Sequence, residues 1–304
     1  DLRHIIHFSQ DLILDDTARS EPIKAAVWMI GAMVSFTLMA IAGRSLADQL
    51  DTFEIMMYRS FIGIFIVLFF GFFLKTLGEI NLNKIRLHFV RNLMHFTGQN
   101  LWFYAIIFVP LSQMFAFEFS TPVWVAVMAP FFLSEKLTFS RILAASTGFL
   151  GILIVARPDF SQLGLPLIAA ASCAIFFAST SVATKLLTRE QSVTCILFWL
   201  VVIQAIFGLI TAGFDGDIAF PSGENVFWVV LVGICGLMAH LSITKALTLA
   251  PAIVVMPLEF LRLPLISVVG FFLYNEGFEW QVWIGALVIL GANAINIRTE
   301  MKSK

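Results

Sequence analysis

The side chains of this chain best placed to do chemistry are the few charged and polar ones that lie inside strongly apolar segments. Arg59, Arg91, Lys245 and Arg262 are basic residues within such segments, and Glu118 and Glu259 are the only acids well inside them. A charge at the centre of a bilayer costs about 2.5–3.5 kcal/mol on insertion scales, so such groups face a bundle interior or a water-filled cavity and mark solute or ion paths. Arg91, His95 and Gln99 follow at four-residue spacing, which puts them on one helical face, with Trp102 next along it and Asn100 and Tyr104 beside it. That stripe reads as the wet wall of a cavity. His240 repeats the polar character on a later apolar segment; its imidazole either couples a proton to solute movement or serves as a hydrogen-bonding partner. These twelve residues form the candidate substrate or ion pathway. The competing reading of the same charges is structural: buried ion pairs join helices, Arg91 and Lys245 snorkel to an interface, and the glutamates cap backbone. Glu135 and Glu276 sit beside turns, where a carboxylate favours the start of the next helix.

The elements that must position these groups follow from composition. With 59% hydrophobic and 13% charged residues and a mean hydropathy of +0.91, most of the 304 residues belong in a bilayer. The net charge of -1 excludes a nucleic-acid partner, because no basic field is present to attract phosphates. A spanning helix takes about 20 apolar residues. Ten such segments can be drawn: 23–43, 53–74, 88–108, 112–133, 139–156, 163–184, 194–213, 226–248, 252–274 and 280–297. The pairs flanking Pro110 and Pro251 are joined by tight turns, where proline ends a helix. Residues 1–21 read as a polar tail of mixed charge without the apolar core of a signal peptide, and 299–304 as a second short tail.

Ten spans leave both termini on one side. Lys75, Lys84, Arg86, Lys136, Arg141, Lys185 and Arg189 fall on that side with the basic residues of both tails, against Arg44 and Arg157 on the other. The positive-inside rule therefore places both termini in the cytoplasm.

A second long-range pattern runs through the chain. Glu118-Phe119 recurs as Glu259-Phe260 at an offset of 141 residues, as do Glu135 as Glu276, Pro110 as Pro251 and Arg44 as Lys185. Apolar matches such as Phe36 with Phe177 carry little weight in a chain with 32 Phe. The offset makes residues 22–157 and 158–298 two five-span copies, and an odd number of spans makes the second copy cross in the opposite sense. The expected fold is an all-α integral membrane protein of ten transmembrane helices in two inverted five-helix repeats. Counting along unbroken spans puts Arg59 and Glu118 at one depth, roughly 9 Å from the outer face, and Arg91 with Glu259 in the inner half. Two ion pairs are expected, one toward each mouth of a pathway.

Other chemistries leave no trace. No phosphate loop, dinucleotide fingerprint, HExxH or nucleophile elbow occurs, so no cofactor or metal is expected. Cys173, Cys195 and Cys235 lie apart in apolar stretches and read as small hydrophobes. Gly148 with Gly151, Gly233 with Gly236, and Gly285 with Gly291 let helices approach closely.

The stretch from Phe117 to Pro158 resembles the EamA-type ten-helix members of the drug/metabolite transporter superfamily. The likeness lies in Ser120, Thr121 and Pro122, in the Glu135-Lys136-Leu137 turn, in Gly148 with Gly151, and in the preceding Arg91–Pro110 run with Trp102-Phe103-Tyr104-Ala105. The second copy departs from the pattern, with Glu276 followed by Gly277-Phe278 and Pro264 one position from the match to Pro122. The resemblance implies a secondary carrier of a small metabolite such as an amino acid or derivative, S-adenosylmethionine or a vitamin. Its partners would be the solute, the lipid bilayer, and a coupling proton or exchanged solute; its place would be the bacterial inner membrane. Oligomeric state has no signature in the sequence. Two other readings stand beside the carrier: an intramembrane enzyme using Glu118, His95 and His240 as acid-base groups, and a structural or regulatory membrane subunit.

Overall fold

The computed structural model describes residues 21–109, 111–135, 138–156 and 164–274, with isolated positions between 280 and 298. Among the described residues the chain is helical and without strands. In chain order the helices are α1 (Pro22–Leu46), α2 (Thr52–Phe73), α3 (Ile85–Phe108), α4 (Leu111–Glu118), α5 (Thr121–Phe132), α6 (Phe139–Ala156), α7 (Leu165–Thr188), α8 (Val193–Thr211), α9 (Asn225–Leu249), α10 (Ala252–Val255) and α11 (Arg262–Tyr274). Residues 1–20 and 299–304, Pro110, Lys136, Leu137, Arg157, Glu276, Gly285 and most of the span at 280–297 lie outside the described residues.

Five helices, α1, α2, α7, α8 and α9, are long and apolar enough to cross a membrane. The chain is a multi-pass membrane protein. Helix α3 matches them in length, 24 residues or roughly 36 Å of rise, yet it is less apolar because it carries His88, Arg91, Asn92, His95 and Gln99. All five are buried inside the bundle, which removes them from lipid.

Local chemistry sets the helix ends. Asp51 and Glu54 form a reciprocal capping box at the start of α2, the Asp51 side chain accepting from Glu54 N at 2.8 Å and Glu54 from Asp51 N at 2.9 Å. The second oxygen of Glu54 accepts from Ala219 N, whose carbonyl in turn accepts from the Tyr58 hydroxyl at 2.8 Å. Pro22, Pro122 and Pro166 occupy the first turns of α1, α5 and α7, where a missing N–H leaves no intrahelical bond unmade.

The fourth and ninth expected spans are broken. Helix α4 stops at Glu118 and α5 restarts at Thr121. Pro122 has no N–H to give the Glu118 carbonyl, and the Thr121 hydroxyl donates to it instead at 2.6 Å, while the Ser120 hydroxyl donates to the Phe117 carbonyl at 2.7 Å. In the ninth span α10 runs only to Val255 and passes into a 3₁₀ segment, Met256–Leu261, that begins with Pro257 at its second position. Glu118-Phe119 and Glu259-Phe260 therefore both lie where the regular hydrogen-bond ladder changes.

Three packings dominate the bundle: α1 on α9, α3 on α7, and α2 on α8. The buried core between them includes Trp102, Phe103, Phe115, Phe119 and Phe260. Cys173, Cys195 and Cys235 are buried free thiols among apolar neighbours.

Candidate functional site

A central cavity gathers polar and charged side chains from several helices. It is walled by Arg91, His95, Gln99 and Trp102 of α3, by Thr180, Ser181 and Thr184 of α7, by His240 and Ile243 of α9, and by Phe36 and Met39 of α1. Glu118, Thr121, Met256, Glu259 and Arg262 close it from the two helix breaks. Its empty space is about 580 Å³, but only about 50 Å³ admits the centre of a water molecule. A site of about 50 Å³ holds a few waters.

The expected ion pairs are not those that form. Glu118 pairs with Arg262 of α11, through Oε1 and Nη2. Its other oxygen accepts from the indole N–H of Trp102 at 2.5 Å. The Arg262 guanidinium lies over the rings of Phe119 at 4.9 Å, Phe36 at 5.1 Å and Phe115 at 5.4 Å, a cation–π box suited to a desolvated charge. Arg59 is instead enclosed by α2, α8 and α9 with Ser60, Leu200 and Gln204, apart from the central cavity. Its Nη1 meets the sulfurs of Met56 at 3.6 Å and Met39 at 3.9 Å. Gly236 makes room for it: a Cβ there would stand 2.9 Å from Nη2. Arg91 gives its Nε to Thr184 Oγ1 at 2.7 Å and Nη1 to Asn92 Oδ1 at 3.3 Å, and does not pair with Glu259. Among the described residues neither Arg59 nor Arg91 has a carboxylate within ion-pair distance. Both glutamates stand at helix breaks, where a constant rise per residue no longer holds, and both line one cavity rather than two mouths.

The polar stripe of α3 is placed as its spacing requires. His95 Nε2 lies 3.0 Å from His240 Nε2, one ring donating and the other accepting. Phe177 flanks His95 and Phe36 meets His240 edge-on, with centroids 6.2 and 6.1 Å apart. Asn100 turns back to the Phe96 carbonyl at 2.8 Å and Tyr104 faces outward against Phe108, so neither lines the cavity. Lys245 is half-buried on α9 and also lies off it. Sequence reasoning set aside Phe36 and Phe177 as uninformative and passed over Thr180, Ser181 and Thr184. The i, i+1, i+4 spacing of those three hydroxyls was the available signal.

Glu135 is a helix cap, as its position beside a turn suggested, but for a distant helix. Its two oxygens accept from Ala252 N at 2.9 Å and Ile253 N at 3.0 Å, at the start of α10. Lys185 holds the other side of the same turn, donating to the carbonyls of Leu247 at 3.0 Å and Ala250 at 3.3 Å. A carboxylate and an ammonium thus fasten the turn that leads to Glu259.

The model of the EamA-like transporter family matches this chain twice, over residues 23–157 and 164–298, the same spacing that separates the two glutamates. The chain belongs to the EamA-like transporter family. Among relatives of this transporter are the S-adenosylmethionine uptake transporter of Rickettsia felis, 24% identical over 91% of this chain and 93% of the relative. The riboflavin transporter of Vibrio cholerae is 26% identical over 93% and 96%, and that of Brucella anthropi 31% identical over 70% and 77%. A crystal structure superposes with a TM-score of 0.75 at 17% identity, covering 92% of this EamA-like chain and 98% of its own, which shows a shared fold. The family and these relatives alike are named as transporters of small molecules across membranes.

Proposed function

We propose that this EamA-like protein is a secondary carrier that moves a small metabolite across the bacterial inner membrane by alternating access. The observation that carries the reading is the central cavity itself: a chamber among apolar helices whose every charged group comes from a helix break or from the α3 stripe. Alternating access needs two halves that exchange conformations, and an inverted repeat of ten spans supplies them. Three facts support that repeat. Exchange of the first and sixth spans and of the third and eighth turns the α1–α9 packing into the α7–α3 packing and leaves α2–α8 paired with itself. Both Glu-Phe dipeptides fall at helix breaks. The family model matches each half. In this reading both termini face the cytoplasm, and the turn held by Glu135 and Lys185 closes the cytoplasmic end.

S-adenosylmethionine and riboflavin are the first cargoes to test, because relatives are named for them. Purified protein in proteoliposomes should accumulate one of them, or exchange it for an internal pool, and return it chemically unchanged. The His95–His240 pair is the seat proposed for a coupling proton, so an imposed pH gradient should alter the flux. Absence of flux for a broad solute panel would refute the carrier; a chemically altered product would favour the enzyme.

A further inference from the structure

Arg59 is a buried cation that stands outside the central chamber, beside a small pocket between α2, α8 and α9. Its Nη1 meets only the sulfurs of Met56 and Met39, and its Nε and Nη2 make no hydrogen bond among the described residues. Gln204 of α8, 2% exposed, lines the same pocket. The orientation of its amide is set by its partner: Nε2 donates at 2.9 Å to the Asn92 carbonyl, which can only accept. Oε1 is the atom left over, buried and without a partner among the described residues. One wall of the pocket thus has donors to spare and another an acceptor to spare. About 10 Å³ of the pocket admits the centre of a water molecule, which is room for one.

A ligand that answers both walls must accept and donate at once. Water does so, taking an Arg59 N–H on its oxygen and giving a hydrogen to Gln204 Oε1. A halide ion would suit the guanidinium but face the amide oxygen with like charge. An acceptor left bare inside a bundle is costly, and a buried water is its ordinary remedy. Beyond Gln204 the contacts run on to the chamber. Asn92 gives Nδ2 to the carbonyls of His88 at 2.8 Å and Trp199 at 3.2 Å. That turns its Oδ1 toward Gln204 Nε2 at 3.4 Å and Arg91 Nη1 at 3.3 Å. Arg91 gives its Nε to Thr184, whose own hydroxyl is spent on the Thr180 carbonyl at 2.7 Å. Arg91 lines the chamber, whereas Arg59 and the described residues of α8 do not.

We propose that the pocket binds a single ordered water bridging Arg59 to Gln204, and that Gln204, acting through Asn92, is a positioning residue for Arg91. The water joins α2 to α8, and the pair of amides joins α8 to α3. A guanidinium that faces the chamber is in this way aimed from outside it, by a helix that contributes nothing else to the chamber wall.

The test uses full-length protein in detergent micelles and needs no cargo. Brief X-ray irradiation turns a bound water into hydroxyl radicals that oxidise the side chains beside it. Met56 and Met29 are both fully buried, but Met56 meets Arg59 and Met29 packs in a separate apolar cluster. Met56 should oxidise several-fold faster than Met29 in the native protein, and no faster than Met29 in Gln204→Leu. Equal rates in the native protein would overturn the bridge, and that comparison needs no variant to fold. Arginine side-chain NMR on protein labelled with nitrogen-15 arginine, assigned by Arg59→Lys and Arg91→Lys, supplies the other readings. An Arg59 signal that moves when chloride is exchanged for bromide would place an anion in the pocket instead of water. The Arg91 Nε–H should exchange with solvent about tenfold faster in Gln204→Leu and in Asn92→Leu, the scale of one lost hydrogen bond. Asn92→Asp keeps the oxygen that meets Arg91 and should hold the native rate. Unchanged exchange in both leucine variants would remove Gln204 and Asn92 from the positioning of Arg91. Faster exchange in Asn92→Asp as well would mark a general loosening of the bundle and overturn that role.

Discussion

Removing the Glu118 carboxylate while leaving Arg262 in place should be among the most damaging single changes to this protein. Both side chains are buried, Arg262 at 2% exposure, and the guanidinium is enclosed by Phe36, Phe115 and Phe119 with its Nε already without a partner. Glu118→Leu strands that cation in an apolar box, which costs about 3–5 kcal/mol, and Arg262→Met strands the carboxylate at a similar cost. The double variant removes both charges together. What remains is the Trp102 indole N–H, which loses the acceptor it now holds at 2.5 Å, worth about 1–3 kcal/mol for an orphaned donor. The double variant should thus be more stable than either single one, and adding Trp102→Phe should recover most of the remaining deficit. Unfolding in mixed micelles, followed by circular dichroism under reversible conditions, gives the three differences. Additive losses, with the double variant worse than both singles by their sum, would refute the pairing and the argument built on it.

Three further outcomes follow from particular contacts. Glu135→Gln weakens two charge-assisted bonds to Ala252 and Ile253, so the protein should lose about 1–3 kcal/mol; in a background without the three native cysteines, Ser181→Cys on the cavity wall should then react faster with a water-soluble maleimide, and equal rates would show that the turn bars no path. Gly148→Ala would set a Cβ 2.3 Å from the Phe260 ring, forcing out the residue beside Glu259 at about 1–3 kcal/mol, visible as a lower melting temperature and impaired flux. His240→Phe keeps the ring contact with Phe36 and deprives His95 of its partner; flux should lose its response to an imposed pH gradient while solute binding persists, and an unchanged response would remove the His pair from proton coupling.

The α3 stripe was legible because two independent rules converge on it: helical spacing assigns Arg91, His95 and Gln99 one face, and the cost of polar groups in lipid turns that face inward. Helix number and type were legible for α1, α2, α7, α8 and α9 because apolar length alone decides them. Pairing partners were not legible. Depth was counted at a constant rise, and neither the stop at Glu118 nor the 3₁₀ segment Met256–Leu261 obeys one. The local chemistry of the first break was nonetheless written in the sequence: Ser120, Thr121 and Pro122 are a proline preceded by the hydroxyls able to satisfy the carbonyls it leaves. Phe36 and Phe177 were lost for a different reason. In a chain with 32 Phe composition conceals position, and only the packing of α1 on α9 and α3 on α7 shows that these two flank the histidines.

Four polar contacts in and near the chamber share a property that bears on how it works. Glu118 meets Arg262, Arg91 meets Thr184, His95 meets His240, and Glu135 meets the start of α10. In each case one partner precedes residue 157 and the other follows residue 164, the limits of the two family matches. Among the described residues these four contacts all join the two halves. Because buried charged contacts tolerate little error in geometry, a displacement of one half against the other breaks or exchanges several of them together rather than loosening each by degrees. The turn at Ala250 is fastened by Lys185 and Glu135 and leads within ten residues to Glu259. A movement of that turn therefore acts on the short stretch of backbone that carries Glu259, already freed by Pro257 from a regular α-helical ladder.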